Sequence, residues 1–559
     1  MKNINGCYLI ENFRKISLFP SRYKFQFAFR AINATFALTM ITKRLRFYFP
    51  LLSLAVYLGF LLTSCRKDTP FPTVDEPLFV LKTSQNPETL KEDIEFYTYN
   101  NGATLARVPF DSRDRLFTVS IHAPKDTYVL IDGEQQTATQ VELAISEPFT
   151  CAVIDKDGNQ TAYHLQLIPD TGLPIFWVET DGGAAITSKE DYIDAILAID
   201  PGMEYEQQQR EIELEIRGRG NSTWGMPKKP YRLKFKKKTD LLGFPATKNW
   251  VLLANYADKT LLRNYVAFEL GNQLMDGFTP RTAFVEVYIN GDYHGLYHLT
   301  DQIRVEESRV DIDELEETDQ DPQVITGGYL LEIDERLDED YWFISGVLEF
   351  PITFKSPEEP TVLQTEYITS YIREFEEIID SKDIGSRTEE YEQYIDVRSF
   401  IDYYLISEIL RNNDTGIGTS IFITKPRNGK LVMGPLWDFD IAAGNINYHG
   451  NYAPEGWWIK TVNRWYVRLF NDKNFETAVK TRWNEIAPNL LSDMTAKIDE
   501  AAFARLDKAQ VHNFERWPIL NEWVWPNAVV KGSYEGEVEY LKEWLATRVA
   551  WMDSEIKKW

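Results

Sequence analysis

From Pro77 to about Pro169, apolar and polar residues alternate in short runs separated by turn signals. Phe117-Thr118-Val119-Ser120-Ile121, Tyr128 to Ile131 closed by Asp132-Gly133, Ala152 to Ile154 closed by Asp155 to Gly158, and Ala162 to Ile168 each suit a strand with one buried face. A period of two with frequent turns predicts an all-β, Ig-like sandwich over 77–170, about ninety residues long.

After Pro174 the pattern turns mixed, and the chain as a whole reads as α+β. Ile212, Leu214 and Ile216 alternate with acids and lead into Arg217-Gly218-Arg219-Gly220, while Tyr231, Leu233 and Phe235 alternate with Arg232, Lys234 and Lys236. Leu262, Val266, Leu270 and Leu274, four apart, predict a helix over 261–274. Ala283 to Ile289, the turn Asn290-Gly291-Asp292, and Tyr293 to Leu299 predict a hairpin. From Tyr391 onward the text is mainly helical, with one interruption: Ser420 to Lys425 as a strand, Pro426 to Gly429 as a turn, and Lys430 to Trp437 as the returning strand. No internal repeat or low-complexity tract is present.

The first 64 residues read as an export signal. Lys43, Arg44 and Arg46 precede an apolar run from Phe47 to Leu62, and Leu62-Thr63-Ser64-Cys65 has the pattern of a bacterial lipobox. A run this short, ending in small residues and a cysteine, favours cleavage over a membrane span. Met40 gives a signal of ordinary length and is the expected start of translation. Cys65 is the expected lipidated residue and 65–76 a tether, which makes the membrane a partner and the expected location an exported, lipid-anchored one. Arg66, in place of an aspartate retention signal, favours the outer membrane or cell surface. Without residues 1–64 the chain holds 51 basic and 84 acidic residues, a formal charge of −33. Such a surface excludes nucleic acid as a partner. Cys151 is then the only unmodified cysteine, so no intramolecular disulfide forms and stability rests on a packed core.

The hairpin carries the candidate chemistry. Asp414 stands before it, and Asp438 and Asp440 stand after it. A protein kinase separates its catalytic-loop aspartate from its magnesium aspartate in this way, so the spacing points to phosphoryl transfer. Upstream, Arg217 and Arg219 flank glycines whose backbone N–H groups can approach phosphate, and guanidinium groups bind phosphate oxygens in pairs. Equally, the turn can be a tight corner whose arginines pair with the chain's many carboxylates.

Five ordered segments resemble those of the CotH family of spore-coat-type atypical kinases: Arg217 to Trp224 (R-G-R-G-N-S-T-W), Lys228 to Phe235 (K-K-P-Y-R-L-K-F), Trp250 to Tyr265, Val285 to Thr300, and Gly434 to Asn445 (G-P-L-W-D-F-D-I-A-A-G-N). The resemblance runs from about Ile175 to the carboxy terminus. It implies a kinase-like fold over 175–559 that binds ATP with Mg2+ or Mn2+ and phosphorylates serine or threonine hydroxyls of a protein substrate. By position, Asp414 is the catalytic aspartate and Asp438 the metal ligand. Lys234 is the strand lysine that meets nucleotide phosphates, with Glu269 as its ion-pair partner; Lys228, Lys229 or Arg217 can fill the phosphate role instead. Thr419 stands where a second metal ligand, an asparagine, is common, and Asp440 is the candidate to replace it.

Other features carry less. Asp311 to Asp321 lacks the glycine and ligand rhythm of a calcium loop and reads as a solvated acidic segment. His294 and His298 share a strand face without a third metal-ligand type, which favours packing over zinc. Trp457, Trp458, Trp517, Trp523 and Trp525 suit either core packing or a glycan surface. The rival to an enzyme is a non-catalytic scaffold lipoprotein of an adhesion or polysaccharide-handling assembly.

Overall fold

The computed structural model describes residues 77–559 apart from Thr137, Ser146 and Asp338. The export segment, Cys65 and the tether lie outside the described residues. No helix among the described residues is long and apolar enough to cross a membrane.

The alternating runs build a sandwich. One sheet orders Ile94–Glu95, Phe79–Leu81, Phe117–His122 and Ala138–Leu143; the other orders Tyr97–Thr98, Ala103–Pro109, Gln160–Asp170, Phe149–Ile154, Tyr128–Ile131 and Glu134–Gln136. Phe117, Val119 and Ile121 meet Val129, Leu165 and Leu167 between them. Cys151 is buried in the same core, and burial pushes its thiol up to about 12. The last long strand hands the chain on across a tight junction. There Arg107 Nε binds Asp200 at 2.7 Å, its Nη1 binds Asp170 at 3.1 Å, and its Nη2 donates to the Leu173 carbonyl at 2.9 Å. Trp177 stacks on Tyr288 beside this clamp, with ring centroids 5.2 Å apart.

Seven strands follow: β1 (Ile175–Thr180), β2 (Ile193–Asp200), β3 (Glu211–Gly218), β4 (Tyr231–Thr239), β5 (Thr247–Leu253), β6 (Thr282–Ile289) and β7 (Asp292–Asp301). They close as β1-β2-β3-β4-β5-β7-β6, the ring being shut by parallel pairing of β1 with β6. The alternation assigns the faces: Leu214, Ile216, Leu233 and Phe235 fill the barrel, while Glu213, Glu215, Lys234 and Lys236 point outward.

Helix α1 (Arg263–Leu274) packs on the outside of this barrel. It starts two residues later than the apolar spacing predicts, because Leu261 takes a left-handed backbone (φ 64°) that an L-residue helix does not accept. Beyond it, β8 (Tyr329–Ile333), β9 (Trp342–Ile344), β10 (Pro351–Ser356), β11 (Ile421–Lys425) and β12 (Val432–Met433) form a sheet ordered β9-β10-β8-β11-β12. Around it lie α2 (Val362–Ile379), α3 (Val397–Ile409), α4 (Asn413–Ile417), α5 (Lys473–Asp499), α6 (Asp507–Arg516) and α7 (Tyr534–Ile556). Phe375, Tyr404, Trp465, Trp483, Leu541 and Met552 join helices and sheet in one core. The returning strand of the predicted hairpin is only Val432–Met433. Gly434 (φ 107°) leaves the extended backbone and Pro435 has no N–H to give, so the ladder stops there.

His298 lies on the outward face of β7, stacked on Phe284 with centroids 5.0 Å apart. Both its ring nitrogens are buried without a partner, and burial pushes it down to about 3. It is a packing residue. The unfolded chain takes up a proton on this ring near the ordinary value of about 6.5, whereas the folded chain resists until about 3. Stability should therefore fall by about 1.4 kcal/mol per pH unit as pH drops through that window. In His298→Phe, thermal unfolding at pH 5 is expected to shift upward and this share of the pH dependence to vanish; melting curves as acid-sensitive as those of the parent would refute the assignment.

Candidate functional site

The three aspartates flanking the hairpin come together. Asp414 sits in the first turn of α4, where the Asn412 side chain caps the helix by accepting from Asp414 N–H at 2.9 Å. Asn413 Nδ2 donates to Asp414 Oδ1 at 3.1 Å and its own Oδ1 accepts from His449 Nδ1 at 2.8 Å. Burial first, and then the charge of Asp438, raise Asp414 to about 7, against the pull of Asn413 and Arg336. Asp440 is pushed well above the carboxylate range by burial, by Asp438 and by Asp258, and it shares a side-chain hydrogen bond with Asp438. Asp438 has a left-handed backbone (φ 62°), a conformation a non-glycine residue holds only when its surroundings impose it.

Those surroundings are the first turn of α1. Asn264 Oδ1 accepts from Phe439 N–H at 2.8 Å, between the two aspartates. Arg263 Nε donates to the Ala442 carbonyl at 3.0 Å and Nη2 to that of Ala443 at 3.3 Å. Arg263 Nη1 binds Asp258 at 2.6 Å in a pair sealed from solvent. Asn445 Nδ2 closes the loop by donating to the Asp440 carbonyl at 2.8 Å.

Two cations face the acids. Arg219 feels Asp438, Glu332 and Asp440, yet burial holds its guanidinium below the usual range; it lies 5.3 Å from the Trp437 ring centroid. Arg336 Nε binds Asp334 at 2.9 Å and its Nη2 donates to Ser420 Oγ at 3.0 Å. The Asn221 amide, oriented with its oxygen toward Arg336 Nη1 at 2.9 Å, ties the glycine turn to the same cleft. Glu332, raised to about 6 by burial, pairs with Lys355 at 3.3 Å.

The remaining sequence candidates divide. Arg217 turns to the 189–192 segment, its guanidinium 4.7 Å from the Tyr192 ring centroid and its Nη1 donating to the Lys189 and Glu190 carbonyls. Lys229 donates to the Trp224 carbonyl at 2.6 Å and so braces the turn itself. Lys228 is buried against the Leu296 carbonyl and Asn513 Oδ1. The expected pair of Lys234 with Glu269 is not formed. Lys234 lies opposite Glu215 on the outer face of the barrel and binds it at 2.9 Å, while Glu269 binds Lys497 at 2.8 Å on the far helices. Thr419 Oγ1 accepts from Glu335 N–H at 3.4 Å. Of the tryptophans, Trp457, Trp458 and Trp517 are packed, while Trp523 and Trp525 are exposed and Trp525 stacks on Tyr448. The acidic segment 311–321 is mostly exposed, and Gln364 Nε2 holds it through the Glu316 and Asp319 carbonyls. Arg336 and Asn264 were missed as site residues; the second lies inside a conspicuous motif.

Among the described residues, no three of His, Cys, Asp or Glu stand close enough to hold a metal ion by themselves. The donor set fits magnesium nonetheless, because that ion takes one or two carboxylates from protein and the rest from water and phosphate. Asp438 and Asp440 are such a pair, with Asp414 adding to the local negative charge. Asp440→Asn keeps a hydrogen-bond donor toward Asp438 and removes the cost of protonating this carboxylate on folding. It is expected to stabilise the metal-free protein by about 0.5–2 kcal/mol, read by thermal unfolding in chelator. A loss of stability would mean that this cost does not govern the cluster.

Among curated proteins, none matches this chain. A crystal structure described as a "putative glycoside hydrolase" from Bacteroides thetaiotaomicron VPI-5482 aligns at 14% identity over 34% of this chain and 54% of its own, with a TM-score of 0.16. This chain thus spans about half the length of that protein, and a TM-score so low carries nothing about fold or activity. The model of a family described as CotH kinase protein matches residues 216–552, more than half of the sequence and the whole of the acid cluster with its glycine turn: the chain belongs to the CotH kinase family.

Proposed function

We propose that this chain transfers the terminal phosphoryl group of ATP, with a divalent cation, to a serine or threonine hydroxyl of a protein. The observation that carries the reading is the meeting of Asp414, Asp438 and Asp440 in one half-buried cluster opposed by Arg219. Asp438 and Asp440 would hold Mg2+ or Mn2+, which supplies charge neutralisation for the phosphates when bound. Asp414, held by the Asn412 cap and the Asn413 amide, orients the acceptor hydroxyl and takes its proton. Arg219 offsets the negative charge that spreads over the moving group, in a setting where burial strengthens that attraction. The acceptor belongs to the compartment reached by an exported chain anchored through Cys65. A glycan hydroxyl is the second reading of the acceptor, favoured by the exposed Trp523 and Trp525 beside Tyr448, a residue that feels Asp414 and Asp440.

Calorimetry with ATP tests the site. Binding is expected only with magnesium or manganese, and Asp438→Ala should abolish it. Asp414→Asn should keep binding within a fewfold and lose transfer by about 100-fold or more, as removal of a general base does. Absence of nucleotide binding under any metal would leave the scaffold reading in its place. Incorporation of labelled palmitate in a bacterial host, lost in Cys65→Ala, tests the anchor; equal labelling of both proteins would refute it.

A further inference from the structure

The outer face of the barrel holds a group of arginines with little counter-charge: Arg217 Nη1 donates to the Lys189 and Glu190 carbonyls, and neither Arg232 nor Arg304 has a carboxylate at ion-pair distance. Arg217 on β3 and Arg232 on β4 are direct cross-strand partners, an arrangement in which like charges destabilise a sheet. Arg304 follows β7 and adds its repulsion to Arg232, as Arg217 does. The Nε atoms of Arg217, Arg232 and Arg304 are all buried without a hydrogen-bond partner. Arg309 and Arg427 also leave Nε unpaired, but each has a carboxylate, Asp301 at 2.6 Å and Asp313 at 3.6 Å. Here the nearest is the exposed Glu190, 3.9 Å from Arg217, while Glu358 acts on Arg232 only from beyond ion-pair distance. Arg232 has one weak contact, from Nη2 to Asn249 Oδ1 at 3.5 Å.

In a chain with 85 acids against 60 bases, guanidinium groups that meet each other instead of carboxylates need another anion. Burying such charges unpaired is unfavourable, and planar guanidinium forks match phosphate oxygens. The order of the charges is also informative. Arg219 feels both Asp438 and Arg232, and Arg232 feels Arg217 and Arg304, so a line of cations leads away from the metal-binding aspartates.

We propose that Arg217, Arg232 and Arg304 form the seat of the phosphate groups that are not transferred, the α- and β-phosphates of a nucleoside triphosphate whose terminal phosphate lies at Arg219 and Asp438. The inference rests on the kinase reading and adds Arg232 and Arg304 to the site.

The test uses the full chain with magnesium, titrated separately with ATP and with inorganic tripolyphosphate, beside Arg304→Gln and the Arg232→Gln/Arg304→Gln pair. The double variant is expected to bind both ligands at least tenfold more weakly and the single variant to fall between. Without ligand, the double variant should melt no lower than the parent, since two repelling charges are gone, yet lose the rise in melting temperature that tripolyphosphate gives the parent. If the parent binds ATP and both variants bind it equally well, the seat is elsewhere while the kinase reading stands. If the parent binds no nucleotide with any metal, both fall. Should the double variant fail to fold, Arg304→Gln, outside the barrel strands, decides alone: unchanged affinity for both ligands would overturn the proposal.

Discussion

The buried pair of Arg263 with Asp258 is the constraint on which the site depends. Arg263 spends one nitrogen on Asp258 and two on the Ala442 and Ala443 carbonyls, and its neighbour Asn264 takes the Phe439 N–H. One turn of helix therefore fixes the whole segment that holds Asp438 and Asp440. Removing one partner of a buried pair typically costs about 3–5 kcal/mol, because the other is left charged in a dry place. Here the damage would also be chemical: Asp258 already disfavours ionisation of Asp440, and an unscreened Asp258 would do so more strongly.

This explains how two distant motifs become one. Trp250 to Tyr265 supplies the pins and Gly434 to Asn445 supplies what is pinned. The sequence contains both, and their resemblance to family segments is readable. Their contact is not readable, since nothing in either segment states which carbonyl Arg263 will find. The left-handed backbone at Asp438 is likewise invisible in the letters, because it is imposed by the Phe439 bond to Asn264 and the chain's turn after Gly434.

Strand and hairpin patterns were legible because a period of two needs only local text. The sandwich, the 282–301 hairpin and the Asp414 to Asp440 proximity follow from it. Ring closure was not, because β1 meets β6 across about a hundred residues. The expected pairing of Lys234 with Glu269 failed for a similar reason. Lys234 and Arg232 look alike in an alternating run, and only cross-strand register separates them: Glu215 faces the first and neutralises it, Arg217 faces the second and does not. Charge usage within one strand is thus a tertiary property. Helix 261–274 shows the same limit at its start, where Leu261 gives up the helical backbone.

The clamp at Arg107 has a mechanical side. It joins a sandwich strand to Asp200 on β2 and to the Leu173 carbonyl, with the Trp177 and Tyr288 rings stacked alongside. Bending at this point would have to break an ion pair and pull Tyr99, Leu105 and Ile168 of the sandwich away from the Trp177 and Tyr288 rings. The sandwich thus acts as a lever arm: a torque applied to it turns the barrel too, and whatever grips the sandwich aims the cleft.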